Sequence, residues 1–237
     1  MTAWKRAPHE GEYEVEPGIF LPRVTAVLGC IAKKALIGWA RNTARDNTIR
    51  EAAALYATLP ATTPAAFAEA LRKRMNYQTL TAGNEDAADF GNVFHLRVEA
   101  EMRAELGQRV TVPELPTVWV DRDGQEMPHP VGNAYESYLA WRRQHRVKPV
   151  SAEVRVVSRA LGYAGTVDLF AEVDDRLGII DYKTAKAIYP EYRVQLAAYR
   201  HAALEQREVG DIVPAFIARF PKTAGDTFEM VEVEVAE

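Results

Sequence analysis

The chain has 237 residues, 48% hydrophobic and 26% charged, the proportions of a globular protein with one good core or at most two small domains. No apolar run approaches a membrane span and Met1–Glu10 lacks the hydrophobic region of a secretory signal, so a cytoplasmic protein without a membrane partner is expected. The single cysteine, Cys30, excludes an intrachain disulfide and a four-cysteine iron–sulfur cluster, and the net charge of −4 is neutral evidence about nucleic acid, because distribution matters more than total.

Residues 1–20 are polar and show no clear period. Thr25 reads as the N-cap of a helix over Ala26–Ala44, with Val27, Leu28, Ile31, Ala35, Leu36 and Trp39 as its apolar stripe. Helical composition continues to Thr58, and Thr63-Pro64 restarts it with a cap and a first-turn proline, as far as about Met75. Arg72-Lys73-Arg74 in that helix reads as a solvated face, with phosphate contact as the alternative. From Glu85 to about Leu106, Phe90, Phe94, Val98 and Met102 recur every four residues and should face a core. His95 and Glu99 stand beside that stripe at i and i+4, able to reach one point together. Val110–Val112 and Val118–Val120, bounded by prolines and Asp123-Gly124, suggest a small hairpin. A helix around Tyr135–His145 then ends in Arg142, Arg143, Arg146 and Lys148, cations that suit a helix C-terminus or a nucleic-acid groove.

Ser151–Ser158 alternates as a strand, with Glu153, Arg155 and Val157 on one face and Val154 and Val156 on the other. Gly165–Val173 and Leu177–Thr184 read as two strands of a hairpin turning at Asp174-Asp175. If the loop is those two residues alone, Asp168 falls directly opposite Asp181; a three-residue loop or a bulge at Gly178 would break that pairing. Cross-strand partners have Cβ atoms about 4.5–5.5 Å apart, so two carboxylates there call for a positive charge between them, and a divalent cation is the natural candidate. Period two puts Lys183 on the face of Asp181 and sends Ile180 and Tyr182 the other way. Pro190 and Glu191 open a helix to about Gln206, on which Gln195 and Tyr199 share a face at i and i+4. Val213–Arg219 and Phe228–Val235 are the last strands. The expected fold is a single α/β or α+β domain over residues 1–237, with a mixed central β-sheet flanked by helices. Residues 1–106 form its mainly helical N-terminal part and residues 150–237 its core.

Asp168, then Asp181-x-Lys183, then Gln195-x-x-x-Tyr199, with Gly165 three residues before the first acid, resembles the PD-(D/E)XK nuclease superfamily in its RecB-like exonuclease branch. Gly91-x-x-x-His95 resembles the helix signature that precedes the core in that branch. Two positions depart from the name: Val167 stands where a proline precedes the first acid, and the second acid is Asp. The resemblance implies a restriction-endonuclease-like core and a DNA exonuclease using one or two Mg2+ or Mn2+ ions, here without the iron–sulfur cluster that some relatives carry. It assigns the metal to Asp168, Asp181, the main-chain carbonyl of Tyr182, His95 and the strand acid Glu153. Catalysis is assigned to Asp168, Asp181 and Lys183 with Gln195 and Tyr199, and contact with the DNA strand to Gln195, Tyr199 and Lys186. It also implies a phage-type role in recombination or repair, with a recombination protein as partner. The rival readings are an endonuclease of resolvase or restriction type and a non-catalytic DNA-end-binding module; degenerate members usually lose the lysine or an acid, and this chain keeps all three.

Overall fold

The computed structural model describes residues 11–29, 34–59, 63–75, 84–120, 125–206 and 214–234. In chain order the elements are β1 (Glu12–Glu16), β2 (Ile19–Pro22), α1 (Val24–Leu28), α2 (Lys34–Thr58), α3 (Pro64–Arg74), α4 (Asn84–Glu105), β3 (Val118–Val120), β4 (Glu126–Pro128), α5 (Val131–Gln144), β5 (Val147–Ser158), β6 (Tyr163–Val173), β7 (Arg176–Lys183), α6 (Pro190–Glu205), β8 (Ala215–Arg219) and β9 (Glu229–Glu232). They divide into two compact units, Ile31–Asp89 and the remainder, Met1–Cys30 with Phe90–Glu237.

The larger unit is built on a mixed five-stranded sheet of order β5-β6-β7-β8-β9, as expected from the alternating pattern. All neighbours are antiparallel except β7 and β8, whose parallel pairing needs the crossover helix α6. On one face α4 and α5 pack Phe94, Val98, Met102, Tyr138 and Trp141 against Leu169, Ile180, Tyr182 and Phe220. On the other, α1 and α6 pack Val24, Leu196 and Tyr199 against Val156, Phe170, Ile179 and Ile217. Phe94, Val98 and Met102 of the four-residue stripe of α4 are buried, as its period demands, whereas Phe90 at its start is partly exposed and belongs to neither core.

The pleat of β5 and β6 does not run unbroken. The paired Ala152 and Leu169 lie on the α4/α5 face, whereas the next pair, Val154 and Val167, lies on the α1/α6 face. Residues two apart on a regular strand point the same way, so both strands change face between these pairs. Glu153 and Asp168 stand at that step, and Glu153 adopts φ +53°, a left-handed backbone that a side chain disfavours. The alternation read for Ser151–Ser158 is correct only beyond it.

Other differences have local causes. Residues 12–22 form the hairpin β1–β2, closed by Gly18 at φ +77° with its N–H on Glu14 Oε1 at 3.0 Å. The first helix begins at Val24 with Arg23 at its N-cap, so Thr25 is inside it, and Gly29 ends it. Val110–Val112 is irregular: Arg97 Nη1 donates to the carbonyl of Pro113 at 2.7 Å, tying this stretch to α4, and β3 pairs with β4 instead. Cys30, Ile31, Asp123-Gly124 and Val213 lie outside the described residues.

In the smaller unit, Thr63 Oγ1 caps α3 by accepting the Ala66 N–H at 3.3 Å, as its Thr-Pro start predicts. Lys73 pairs with Glu69 at 3.0 Å and Arg74 with Glu51 at 3.1 Å, which favours the solvated-face reading of that basic run.

Candidate active site

The β6–β7 turn sets the register of the site. Asp174 and Asp175 take φ +50° and +67°, as a two-residue turn with both central residues left-handed requires. Pairs then run from Val173–Arg176 down to Leu169–Ile180. One step further the ladder stops, and the Asp168 carboxylate takes the place of a main-chain acceptor: its Oδ2 receives the Tyr182 N–H at 2.7 Å. Asp181, 2% exposed, lies beside it on the α1/α6 side of β7, with its Oδ2 buried. The Lys183 ammonium meets that oxygen as an ion pair. Tyr182 turns its ring the other way, among Tyr138, Trp141 and Phe220.

Helices close on this point from both faces, each through a glycine. On α4 a Cβ at Gly91 would come within 3.3 Å of Thr184 Oγ1, so the glycine lets the helix approach the end of β7. One turn on, His95 Nδ1 lies 3.7 Å from Asp168 Oδ2, the oxygen already bonded to Tyr182. On the opposite face a Cβ at Gly165 would stand 2.3 Å from Tyr199 Cε1, so only glycine lets that ring lie on β6. Gln195 Nε2 donates to Tyr199 Oη at 2.8 Å, and both side chains are buried. Tyr199 is close enough to Asp181 and Asp168 for their charges to add to the effect of burial in pushing its hydroxyl pKa up. Tyr192 completes the wall: the Lys183 ammonium lies 5.0 Å from its ring centroid, a cation–π contact.

Glu153 joins the acids from β5. Burial first, then the charges of Asp168 and Glu99, push its pKa up to about 8. Burial also pushes Asp181 up, with Asp168 adding to the rise and Lys183 opposing it. Glu99 itself pairs with Arg103 at 2.9 Å. Lys186 is exposed in the loop after β7, where its carbonyl accepts from Arg219 Nη1 at 3.3 Å. Two of the cations at the end of α5 and just beyond it are engaged elsewhere: Arg142 bonds both Glu105 oxygens at 3.0 Å, and Arg146 pairs with Asp175. A cleft of about 630 Å³ lies between α5 and residues 223–228 and contains none of these residues.

The donor set suits a hard divalent cation. Asp168 adds to the rise in the pKa of both Asp181 and Glu153, and such an ion would relieve that repulsion. No three His, Cys, Asp or Glu side chains among the described residues converge closely enough to enclose an ion, because Asp168 is held by the Tyr182 N–H and Asp181 by Lys183.

Against known families, the PD-(D/E)XK nuclease superfamily matches residues 61–236. The chain belongs to the PD-(D/E)XK nuclease superfamily. No curated protein matches it. The superfamily is one of nucleases that generally use divalent metal ions, with DNA as substrate, and the five-stranded mixed sheet between helices agrees with its fold. In this PD-(D/E)XK chain the structure brings Asp168, Asp181, Lys183, His95 and Glu153 to one end of the sheet, with Gln195 and Tyr199 buried behind them and Lys186 outside on the surface. Sequence reasoning passed over Tyr192. Its signal was available, since 192, 195 and 199 share one helix face at i, i+3 and i+7.

Proposed function

We propose that this chain is a Mg2+- or Mn2+-dependent DNA exonuclease of the RecB-like kind, processing DNA ends in recombination or repair. The observation that carries the reading is the approach of His95 to Asp168, which joins the helix signature of that branch to the acids of the core. Asp168 and Asp181, with Glu153, His95 and the Tyr182 carbonyl, would hold the ion, which when bound polarises the scissile phosphate and lowers the pKa of water. Lys183 is held between Asp181 and the Tyr192 ring, with its side chain 16% exposed. From there its ammonium donates to an attacking water and offsets negative charge growing on the phosphate. Gln195 and Tyr199, bonded to each other over Gly165, brace the floor under Asp181 and keep water out of it.

Incubation of the purified protein with closed circular, nicked and linear forms of one plasmid tests the reading. The linear form should be degraded with magnesium or manganese and spared with a chelator, and the closed circle should survive. Rapid linearisation of the closed circle would make the enzyme an endonuclease; binding of ends without cleavage in any metal would make it an end-binding module.

A further inference from the structure

Beside the site lies a group of residues that the mechanism leaves unused. Phe90, immediately before Gly91, carries the Trp119 ring at 5.3 Å and the His129 ring at 4.7 Å, both edge-on at 77° and 71°. The Lys222 ammonium stands 5.7 Å from the centroid of the same ring. The four side chains are partly exposed, and the aromatic ones belong to neither of the two cores that hold the sheet. Both arms of the group are tethered to the catalytic end of β7. Gly91 abuts Thr184, and the Phe220 N–H, two residues before Lys222, donates to the Lys183 carbonyl at 2.7 Å.

We infer that Phe90, Trp119 and Lys222 form a subsite for the substrate strand next to the scissile phosphate, with Lys222 on a backbone phosphate and the rings under an unstacked base. The inference rests on the DNA-hydrolysing reading above. Its chemistry is that of proteins that hold single strands: aromatic faces take bases irrespective of sequence, and a cation follows the phosphates. Partial burial lowers the pKa of Lys222. His129 fits the same surface. Its Nδ1 accepts the Val131 N–H at 3.2 Å and burial lowers its pKa, which leaves a neutral ring with Nε2–H as a donor. The hairpin that brings Trp119 here exposes Val118, Val120 and Met127, by 48%, 60% and 43%, beside the rings.

The test is fluorescence anisotropy of a fluorescein-labelled oligothymidine of about 12 nucleotides, with calcium in place of magnesium, on wild type, Lys222→Gln, Lys222→Arg, Trp119→Leu and Trp119→Phe. Lys222→Gln should weaken binding and flatten the slope of log affinity against log salt by about 0.7, the loss of one phosphate contact on a single strand. Lys222→Arg should restore that slope. Trp119→Leu should weaken binding roughly 5- to 150-fold at unchanged slope, the worth of one base on an aromatic ring, with Trp119→Phe in between. Thermal unfolding of each variant separates lost binding from lost fold, and Lys222→Gln, a neutral polar replacement at a partly exposed position, decides between the outcomes if the Trp119 variants unfold. Wild type that binds and cleaves while Lys222→Gln keeps both affinity and slope overturns the subsite alone. Wild type that neither binds nor cleaves DNA overturns the nuclease reading and the subsite with it.

Discussion

The β6–β7 hairpin carries a pair of aspartates at each end, and the two pairs live in opposite surroundings. At the turn, Asp174 is half exposed, accepts the Arg146 N–H at 2.9 Å and contacts His145 Nδ1 at 2.6 Å. The His145 bond, then the Arg146 N–H, hold its pKa below the usual carboxylate range, and Asp175 pairs with Arg146 beside it. At the open end Asp181 is buried with its pKa raised, Asp168 has replaced a rung of the ladder, and Glu153 faces them from a left-handed backbone. Residue type is the same, and so is the hairpin. Acids at the turn serve folding, because everything around them favours their charge. Asp181 and Glu153 at the open end are held against stability, since burial disfavours the charge of both.

The comparison breaks most visibly at Lys183. Lys183→Ala should lower cleavage by about 10² to 10³, the usual loss for one group facing charge that develops in the reaction. It also leaves Asp181, 2% exposed, without its cation, so the metal-free variant should unfold at lower temperature unless Asp181 takes up a proton. The double variant Lys183→Ala/Asp181→Asn should regain that stability and none of the activity. Wild-type turnover in Lys183→Ala would remove the lysine from the mechanism.

Next in size are the acids themselves. Asp181→Asn removes a buried charge, and Asp168→Asn keeps an oxygen for the Tyr182 N–H. Each should abolish the rise in unfolding temperature that magnesium or manganese gives the wild type. Each should also leave the metal-free protein as stable as before or more so. Calorimetry with and without metal decides it: clear destabilisation of both metal-free variants would mean that the open end is built for folding, like the turn.

Much of this contrast was legible beforehand. Two acids between strands rich in Val, Ile and Thr suggest the loop Asp174-Asp175, and the structure selects it over the three-residue loop and the Gly178 bulge that the sequence left open, which decides what Asp168 faces. The four-residue stripe of α4 likewise fixes the side on which His95 emerges. What stayed hidden depends on distant contacts. Glu153 sits in an alternation that reads as continuous, and a positive φ on a glutamate has no local signature; the reversal shows only when Ala152 and Val154 are found on different faces. Gln195 and Tyr199 read as groups that meet the substrate strand or brace Lys183, and their bond to each other was not legible, because it depends on Gly165 letting the ring sink onto the sheet. The β1–β2 hairpin was missed because its strands, Glu12–Glu16 and Ile19–Pro22, are short and offer no clear apolar period.

Glu153 sharpens the comparison through pH. Its pKa rises from 4.5 to about 8 on folding, so folding takes up a proton there. The stability it contributes is fully present below about 4.5 and is lost as pH rises through about 8. Glu153→Gln cannot lose it. In the absence of metal the variant should therefore gain on wild type steadily between those two values, and parallel unfolding curves across that range would show that Glu153 is solvated like the turn acids.

The smallest effects belong at the turn, where they distinguish its two residues from each other. Asp175→Gly removes a side chain from φ +67°, a gain of roughly 1 kcal/mol that the greater freedom of glycine in the unfolded chain reduces by about 0.5. It also loses the ion pair with Arg146, whose partners are 61% and 70% exposed, and exposed pairs contribute about 0–1 kcal/mol. These contributions nearly cancel, so the unfolding temperature should hardly move. Asp174→Gly starts from the same kind of backbone, φ +50°, but surrenders the acceptor for the Arg146 N–H and for His145. A hydrogen bond to a charged group is worth about 1.5–3 kcal/mol before solvent exposure weakens it, so this variant should lose on the order of 1 kcal/mol. The deficit should fade in acid, because a carboxylate whose pKa falls on folding gives up its contribution as pH drops through the folded value. Both variants should cleave DNA at the wild-type rate. A turn variant that stayed folded and lost cleavage would show that the two ends of the hairpin are coupled, and that the acids at the turn do more than shape it.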